Sequence, residues 1–585
     1  MCGFVGMTLK GSFNKDKFIE STRLLSHRGP DEEGYFFDGI AFGHRRLVVV
    51  DKENGKQPMT FNGYTLIYNG ELYNTEDLRV ELLELGHTFT GHSDTEVLLK
   101  SYVEWKEDCL TKFNGIFAFA IYDGNKLFIA RDRVGVKPLY YYFNGNDIFF
   151  ASEIKSILHY YDLHEVGDEG LKELFGLGPS HTPGKTIYKD VYELKPGHCM
   201  SFNGSISVKE YWNVKVNEFN LNFKDTVKEV KFILTDAIKR QLVSDVPLCT
   251  FLSGGVDSSI ITAVAALNKD HLTSYSVEYE DNDFESNDFQ VSKDTDYIKY
   301  VVDKYDTTHI DKVISLDELT DTLTNAVDLR DYPGMADIDS SLYWFCNEIK
   351  ETHTVGLSGE CADEIFGGYP WFYRDTESNF FPWLRDLDSR LDLFKDKWKE
   401  RLNIKKYVKD KYEKTMNEVP NMSRHQKMMY LNIKWFMTTL LMRKDSMSMG
   451  ASLEVRVPFS DHRLIEFLFN VPYEYKFYKQ EKGLLRESMK DLLPIEILNR
   501  KKNPYPKTHN KRYTELVKKK LIKSLYDKDS ILHILFKRDK LIELIRTNGE
   551  SFEKPWFGQL MTGPQLIAYL YQVDYWYKKY NIKLV

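Results

Sequence analysis

Apolar and polar residues alternate in short runs up to about Phe202, and this period-two pattern predicts strands over 41–50, 64–68, 115–122, 126–131 and 147–152. Asn62-Gly63, Asn69-Gly70 and Asp123-Gly124 punctuate the runs and read as tight turns. Two stretches of helical spacing, 75–85 and 94–105, interrupt them, so sheets with helices on their outer faces are expected. Around 204–216 the chain becomes polar and irregular, which divides it into domains 1–205 and 206–585. Beyond the division, Val227, Val230, Ile233, Leu234, Ala237, Ile238 and Leu242 share one helical face within 224–242. A strand over 246–252, a glycine turn and a helix over 258–267 follow, with further strands over 274–277 and just before Ser358. That order is an α/β grammar, and from Met428 onward the pattern is mainly helical.

At 585 residues the chain exceeds one ordinary core, and 42% hydrophobic with 14% aromatic residues supply ample material for two. The formal net charge of -8 argues against a nucleic-acid binder. A basic run over 500–523 reads as solvated surface. Six dispersed cysteines without a CxxC pair suggest neither a disulfide framework nor a zinc site and fit a reducing cytosol. No apolar run is long enough to span a bilayer, so a cytoplasmic protein with no membrane partner is expected.

Three places carry candidate chemistry. If Met1 is removed, as a small second residue favours, Cys2 holds a thiol and a free α-amine on one carbon. The amine then serves as general base for the thiol, although the same position suits any ordinary second residue. The string SGGVDSS, Ser253 to Ser259, follows an apolar strand and opens a helix, where glycine backbone and helix N-terminus invite phosphate. It lacks the lysine of a Walker A loop, which disfavours a β,γ-phosphate-cleaving P-loop ATPase; the string resembles instead the pyrophosphate-binding loop of ATP pyrophosphatases, a resemblance that implies splitting of ATP between its α and β phosphates. Glu360, Asp363 and Glu364 crowd three carboxylates after Ser358-Gly359, useful around Mg²⁺ or as a general base but equally at home in a helix first turn. Lys502 stands in a loop stiffened by Pro504 and Pro506.

Together these residues resemble the glutamine-hydrolysing asparagine synthetases, in the branch with a long C-terminal segment, over essentially the whole chain. MCGFVG, His27-Arg28-Gly29-Pro30-Asp31, Asn69-Gly70-Glu71-Leu72-Tyr73-Asn74 and the Arg131 to Leu139 run match the class II glutaminase signatures. SGGVDSS, SGECADEIFGGY, the Arg443 to Met449 run, the Ser452 to Phe459 run and the Lys502 loop match the synthetase signatures. The resemblance implies an N-terminal αββα Ntn-hydrolase sandwich followed by a doubly wound adenine-nucleotide α-hydrolase-like domain with a mainly helical C-terminal part.

It also implies roles. Cys2 would attack glutamine, Asn69 and Gly70 would form the oxyanion hole, and Arg46, Glu71 and Asp94 would hold the substrate's α-carboxylate and α-ammonium. Leu252, Ser253, Gly254, Gly255, Asp257, Ser258, Val277, Ser358 and Gly359 would bind ATP, with Asp257 and Asp363 on Mg²⁺. Glu360 would act as base toward the incoming amine, and Lys502 would stabilise the adenylation transition state. The implied substrates are glutamine, aspartate and ATP, the product asparagine through β-aspartyl-AMP, with ammonia passed inside the protein and a homodimer as the suggested assembly. Amidation of another carboxylate by the same chemistry is the alternative. Two departures stand out: Cys361 replaces the usual glycine, and the acidic stretch 331–341, where the acceptor acid is expected to be read, lacks the arginine of some members.

Overall fold

The computed structural model describes residues 2–280, 292–374, 380–508, 510–552 and 554–585; Met1, whose removal would expose the Cys2 amine, lies outside them. Cys2–Thr8 is a wholly buried strand whose alternate side chains point to opposite faces, as the strand pleat requires. It sits inside an antiparallel sheet of six strands, between Ile148–Ala151 and Ile40–Arg46. A second six-stranded antiparallel sheet contains Tyr64–Leu72, Gly115–Tyr122 and Leu127–Arg131. Phe4, Phe42 and Phe150 of the first sheet pack on Ile67, Ala118, Ile129 and Met200 of the second, and this is the core of the sandwich. Helices Lys15–Arg23 and Ile154–Tyr161 cover one outer face. Helices Thr75–Glu84 and Asp94–Trp105 cover the other, with Leu78, Leu82, Val97 and Leu98 against Phe117 and Phe119.

Asn62-Gly63 and Asp123-Gly124 fall between paired strands as expected, but Asn69-Gly70 is no turn. Both residues lie within the strand Tyr64–Leu72, opposite Ala118 and Phe117. Glycine is needed there because a Cβ on Gly70 would come within 2.2 Å of the Ile116 carbonyl oxygen. The strand Ile206–Glu210 pairs with His198–Phe202, so the sandwich runs on through Glu210.

The remainder of the chain is built around a five-stranded parallel sheet in the order Thr308–Ile314, Thr273–Tyr279, Leu248–Phe251, Val355–Leu357, Glu454–Arg456. Strand order reverses between Leu248–Phe251 and Val355–Leu357, and a crevice opens beyond their C-terminal ends, where α/β folds of this kind bind ligands. Helices dominate from Ala362 onward. The long helix Gly563–Lys579 leads into a short strand, Lys583–Leu584, which returns to pair in parallel with Glu165–Val166. Among the described residues no helix is long and apolar enough to cross a membrane.

The two halves are joined by buried charge. Asp445, on the helix Thr438–Gly450, accepts from Arg28 Nη2 at 2.8 Å and from Lys137 Nζ at 2.9 Å. All three side chains are out of contact with solvent. Arg456 is likewise buried, pairing with Glu454 at 2.6 Å and with Glu71 of the sandwich at 3.4 Å. Asp445→Ala would leave buried Lys137 without a carboxylate and Arg28 with Glu153 alone, a loss of about 3 kcal/mol. Denaturant unfolding of the variant should show this, together with faster proteolytic cleavage between the halves; unchanged stability would mean that water already screens the cluster.

Candidate active site

Within the sandwich, Cys2 pairs in register with Arg46, and its backbone nitrogen donates to Asn69 Oδ1 at 3.0 Å. Arg28 Nε donates to the Cys2 carbonyl at 3.1 Å, fixing the start of the strand from the other side. Burial pushes the Cys2 thiol up, so a base is required to generate the thiolate. Asn69 is fully buried, and its Nδ2 has no hydrogen-bond partner among the described residues. An orphaned donor in such a place is costly unless a ligand uses it. Arg46 is anchored by the carbonyls of Lys52 and Asp51 and by Glu32. Glu71 and Asp94 are both buried, and burial pushes both carboxyls up, Glu71 further because Asp94 is a close like charge. Arg456 partly offsets Glu71 from 3.4 Å, while Asp94 is held by neutral donors, the Tyr68 hydroxyl and the Leu72 N–H.

The crevice of the second half is a cleft of about 260 Å³. Leu252, Ser253, Gly255, Asp257, Ser258, Val277, Ser358, Gly359, Glu360, Asp363 and Lys502 all line it, from four separate stretches of sequence. Gly254 lies behind the wall: its φ of 65° is the left-handed turn, and a Cβ would meet Tyr297 at 2.7 Å. The helix Val256–Ala266 starts immediately after the glycines, so its free N–H groups face the cleft. Ser258 Oγ accepts from the Ser253 N–H at 3.1 Å and closes the loop.

Asp257 and Asp363 converge on Lys482 Nζ, at 2.7 and 2.9 Å, and Lys502 Nζ lies 3.1 Å from Asp363. Burial opposes the charge of Asp363, but the two lysines hold its carboxyl down at about 2. Glu360 pairs with Lys444 at 3.2 Å, while its Oε2 is buried without a hydrogen-bond partner among the described residues. Lys482 is a cleft residue that sequence reading missed, and Lys444 was noted only within the Arg443 to Met449 run without a role, since a lysine in a helical region carries no local signal of its target. Arg500 was assigned to solvated surface; it is instead buried, donating to the Ser253 carbonyl at 2.7 Å and pairing with Asp294 at 2.6 Å.

The acidic stretch behaves differently from expectation. Met335 and Ile338 line the cleft, but the aspartates around them are engaged elsewhere. Asp331 accepts from the Lys155 N–H at 2.9 Å and from Tyr580 at 3.2 Å, and Asp337 accepts from Gln565 at 3.2 Å. Asp339 takes Arg330 and Arg443, each at 3.1 Å.

Residues 229–578 match the asparagine synthase family, and residues 1–212 match the glutamine amidotransferase domain family. Asparagine synthetase [glutamine-hydrolyzing] 3 of Bacillus subtilis (strain 168) is 50% identical, with 100% of each chain covered. Asparagine synthetase [glutamine-hydrolyzing] 1 of the same organism is 33% identical over 86% of this chain and 87% of that one. A putative asparagine synthetase [glutamine-hydrolyzing] 2 of Methanocaldococcus jannaschii is 34% identical over 68% of this chain and 82% of its own. With both family models matched in one chain, and with a full-length relative at 50% identity, the chain belongs to the glutamine-hydrolysing asparagine synthetase family.

Proposed function

We propose that this chain amidates L-aspartate to L-asparagine, activating the side-chain carboxyl with ATP and drawing nitrogen from glutamine. Family membership supports ATP-dependent amidation with glutamine as donor. The observation that carries the finer reading is the convergence of the glycine loop, two carboxylates, Lys502 and Glu360 on one cleft.

With Met1 removed, the Cys2 amine takes the thiol proton and sulfur bonds to the glutamine amide carbon. Asn69 Nδ2 and the Gly70 N–H are the donors for the oxyanion that develops there. Ammonia leaves as the C–N bond breaks, and water then releases glutamate. An α-ammonium beside Glu71 and Asp94 brings a second positive charge to two buried acids that have Arg456 alone near Glu71, and Arg46 receives the α-carboxylate.

In the cleft, a carboxyl oxygen of aspartate attacks the α phosphorus of ATP and pyrophosphate departs, giving β-aspartyl-AMP. The loop 253–258 and the helix N-terminus hold the phosphates. Asp257 and Asp363 suit Mg²⁺, being hard oxygen donors that already converge on one point. Among the described residues no set of three or more His, Cys, Asp or Glu side chains is gathered, so phosphate oxygens would complete the ion's shell. When bound, the ion would offset charge on the phosphates. Ammonia reaches the adenylate inside the protein, unprotonated, and Glu360 Oε2 takes the proton shed as the new C–N bond forms.

Cys2→Ala should abolish glutamine hydrolysis and glutamine-dependent synthesis while leaving synthesis from added ammonia largely intact; surviving glutaminase activity would remove Cys2 from the mechanism. AMP and pyrophosphate should appear in equal amounts with asparagine, whereas ADP and orthophosphate would mean an acyl phosphate instead. Lys502→Ala should slow adenylation roughly a hundredfold, about 3 kcal/mol, measured by rapid quench. A normally folded variant that adenylates at the parental rate contradicts the role given to this lysine.

A further inference from the structure

In and behind the wall of the cleft beside Glu360, one linked set of ion pairs carries more positive than negative charge. Arg330, Arg443 and Lys444 are linked there through only two carboxylates, Asp339 and Glu360, three charges against two. The three cations are all buried, and an unbalanced buried charge is costly unless a ligand completes it. The missing partner is an anion.

Arg443 is the cation shaped to take it. Its Nε donates to Asp339 Oδ1 at 3.1 Å and its Nη2 to the Ile338 carbonyl at 2.9 Å. Nη1 faces Glu360 Oε1 across 3.6 Å, beyond hydrogen-bond length. The guanidinium lies over the Tyr505 ring at 4.9 Å, so its flat face is occupied and its donors are left in plane, the geometry that pairs with a carboxylate. The stretch 331–341 has no arginine of its own; Asp339 holds one supplied by another helix. Two of its residues, Asp331 and Ala336, take positive φ of 67° and 49°, and strain of this kind is retained where a site is held in shape.

We propose that Arg443 binds the α-carboxylate of an amino-acid acceptor, and that Asp339 is the positioning residue that holds it there. The inference rests on the amidation reading above: with the reacting carboxyl beside Glu360, the acceptor's second carboxylate, two carbons away, falls on Arg443. The phosphates are on the far side, with the 253–258 loop, Lys482 and Lys502. The site therefore selects small α-amino dicarboxylic acids over monocarboxylic amines.

The test compares aspartate with β-alanine, which is aspartate lacking the α-carboxylate, using ammonia as nitrogen source and pyrophosphate release as readout. Arg443→Lys should raise the aspartate KM about tenfold or more, keep the ATP KM within about twofold, and lower the aspartate to β-alanine ratio of kcat/KM about a hundredfold. Asp339→Asn, which keeps the volume and loses the charge, should lower that ratio about tenfold. Equal losses for both acids, or a ratio unchanged in both variants, would overturn the assignment while leaving the amidation reading intact. A parental protein releasing no pyrophosphate with aspartate would overturn that reading and this one together.

Discussion

Asp445 carries a full charge into the interface between the two halves, and only the other half can neutralise it. Its partners Arg28 and Lys137 belong to the sandwich, and Arg28 also holds the carbonyl of Cys2. One residue earlier on the same helix, Lys444 reaches Glu360, and one before that, Arg443 lines the cleft. Consecutive residues on a helix point about 100° apart, so a single turn addresses both centres without a flexible linker. Arg456 repeats the arrangement: its side chain pairs with Glu71, while its backbone carbonyl accepts from the N–H of Ser358, which lines the cleft, at 2.9 Å. Docking of the halves is therefore a condition for either site to be complete.

The requirement explains why ion pairs that give little stability relative to apolar packing are found here. A greasy interface would allow sliding by a fraction of a side chain, whereas a buried carboxylate between two fixed cations has one low-energy register. For two sites carried on one chain, relative position matters more than affinity between the halves.

What was legible in the sequence was what is local. The helix Thr75–Glu84 follows directly from periodicity, because Leu78 and Leu82 bury one clear face, while the strand Gly115–Tyr122 and the helix Asp94–Trp105, buried on more than one side, were legible from their contiguous apolar residues. SGGVDSS was legible because loop, glycines and helix start are contiguous. The edge strand Thr308–Ile314 was not, since half its side chains are solvated and its sequence reads as polar. Glu454–Arg456 was missed for the opposite reason: it is a buried strand whose charges are satisfied by each other and by Glu71, and no pattern of hydrophobicity announces that. Asn69-Gly70 misled because asparagine before glycine is the commonest turn signal, and here each residue serves a separate purpose inside a strand. Arg443, Lys444 and Lys482 fall into the same class, as their partners are brought to them by the fold alone.

Cys361 shows how firmly the cleft is held. The residue takes φ 76° and ψ -11°, the left-handed conformation that glycine adopts freely and a side chain adopts at about 1–2 kcal/mol. The glycine geometry thus survives the loss of glycine. It survives because both flanks are fixed: Glu360 by Lys444 on one side, and Asp363 by Lys482 and Lys502 on the other. Relaxing the backbone at Cys361 would swing one carboxylate away from its cations inside a buried site, a larger cost than the strain it relieves. The thiol itself is buried against the core and burial pushes it up, so it acts as a small apolar side chain in place of the missing hydrogen. Charge pairing, more than local residue preference, sets the backbone at the catalytic turn.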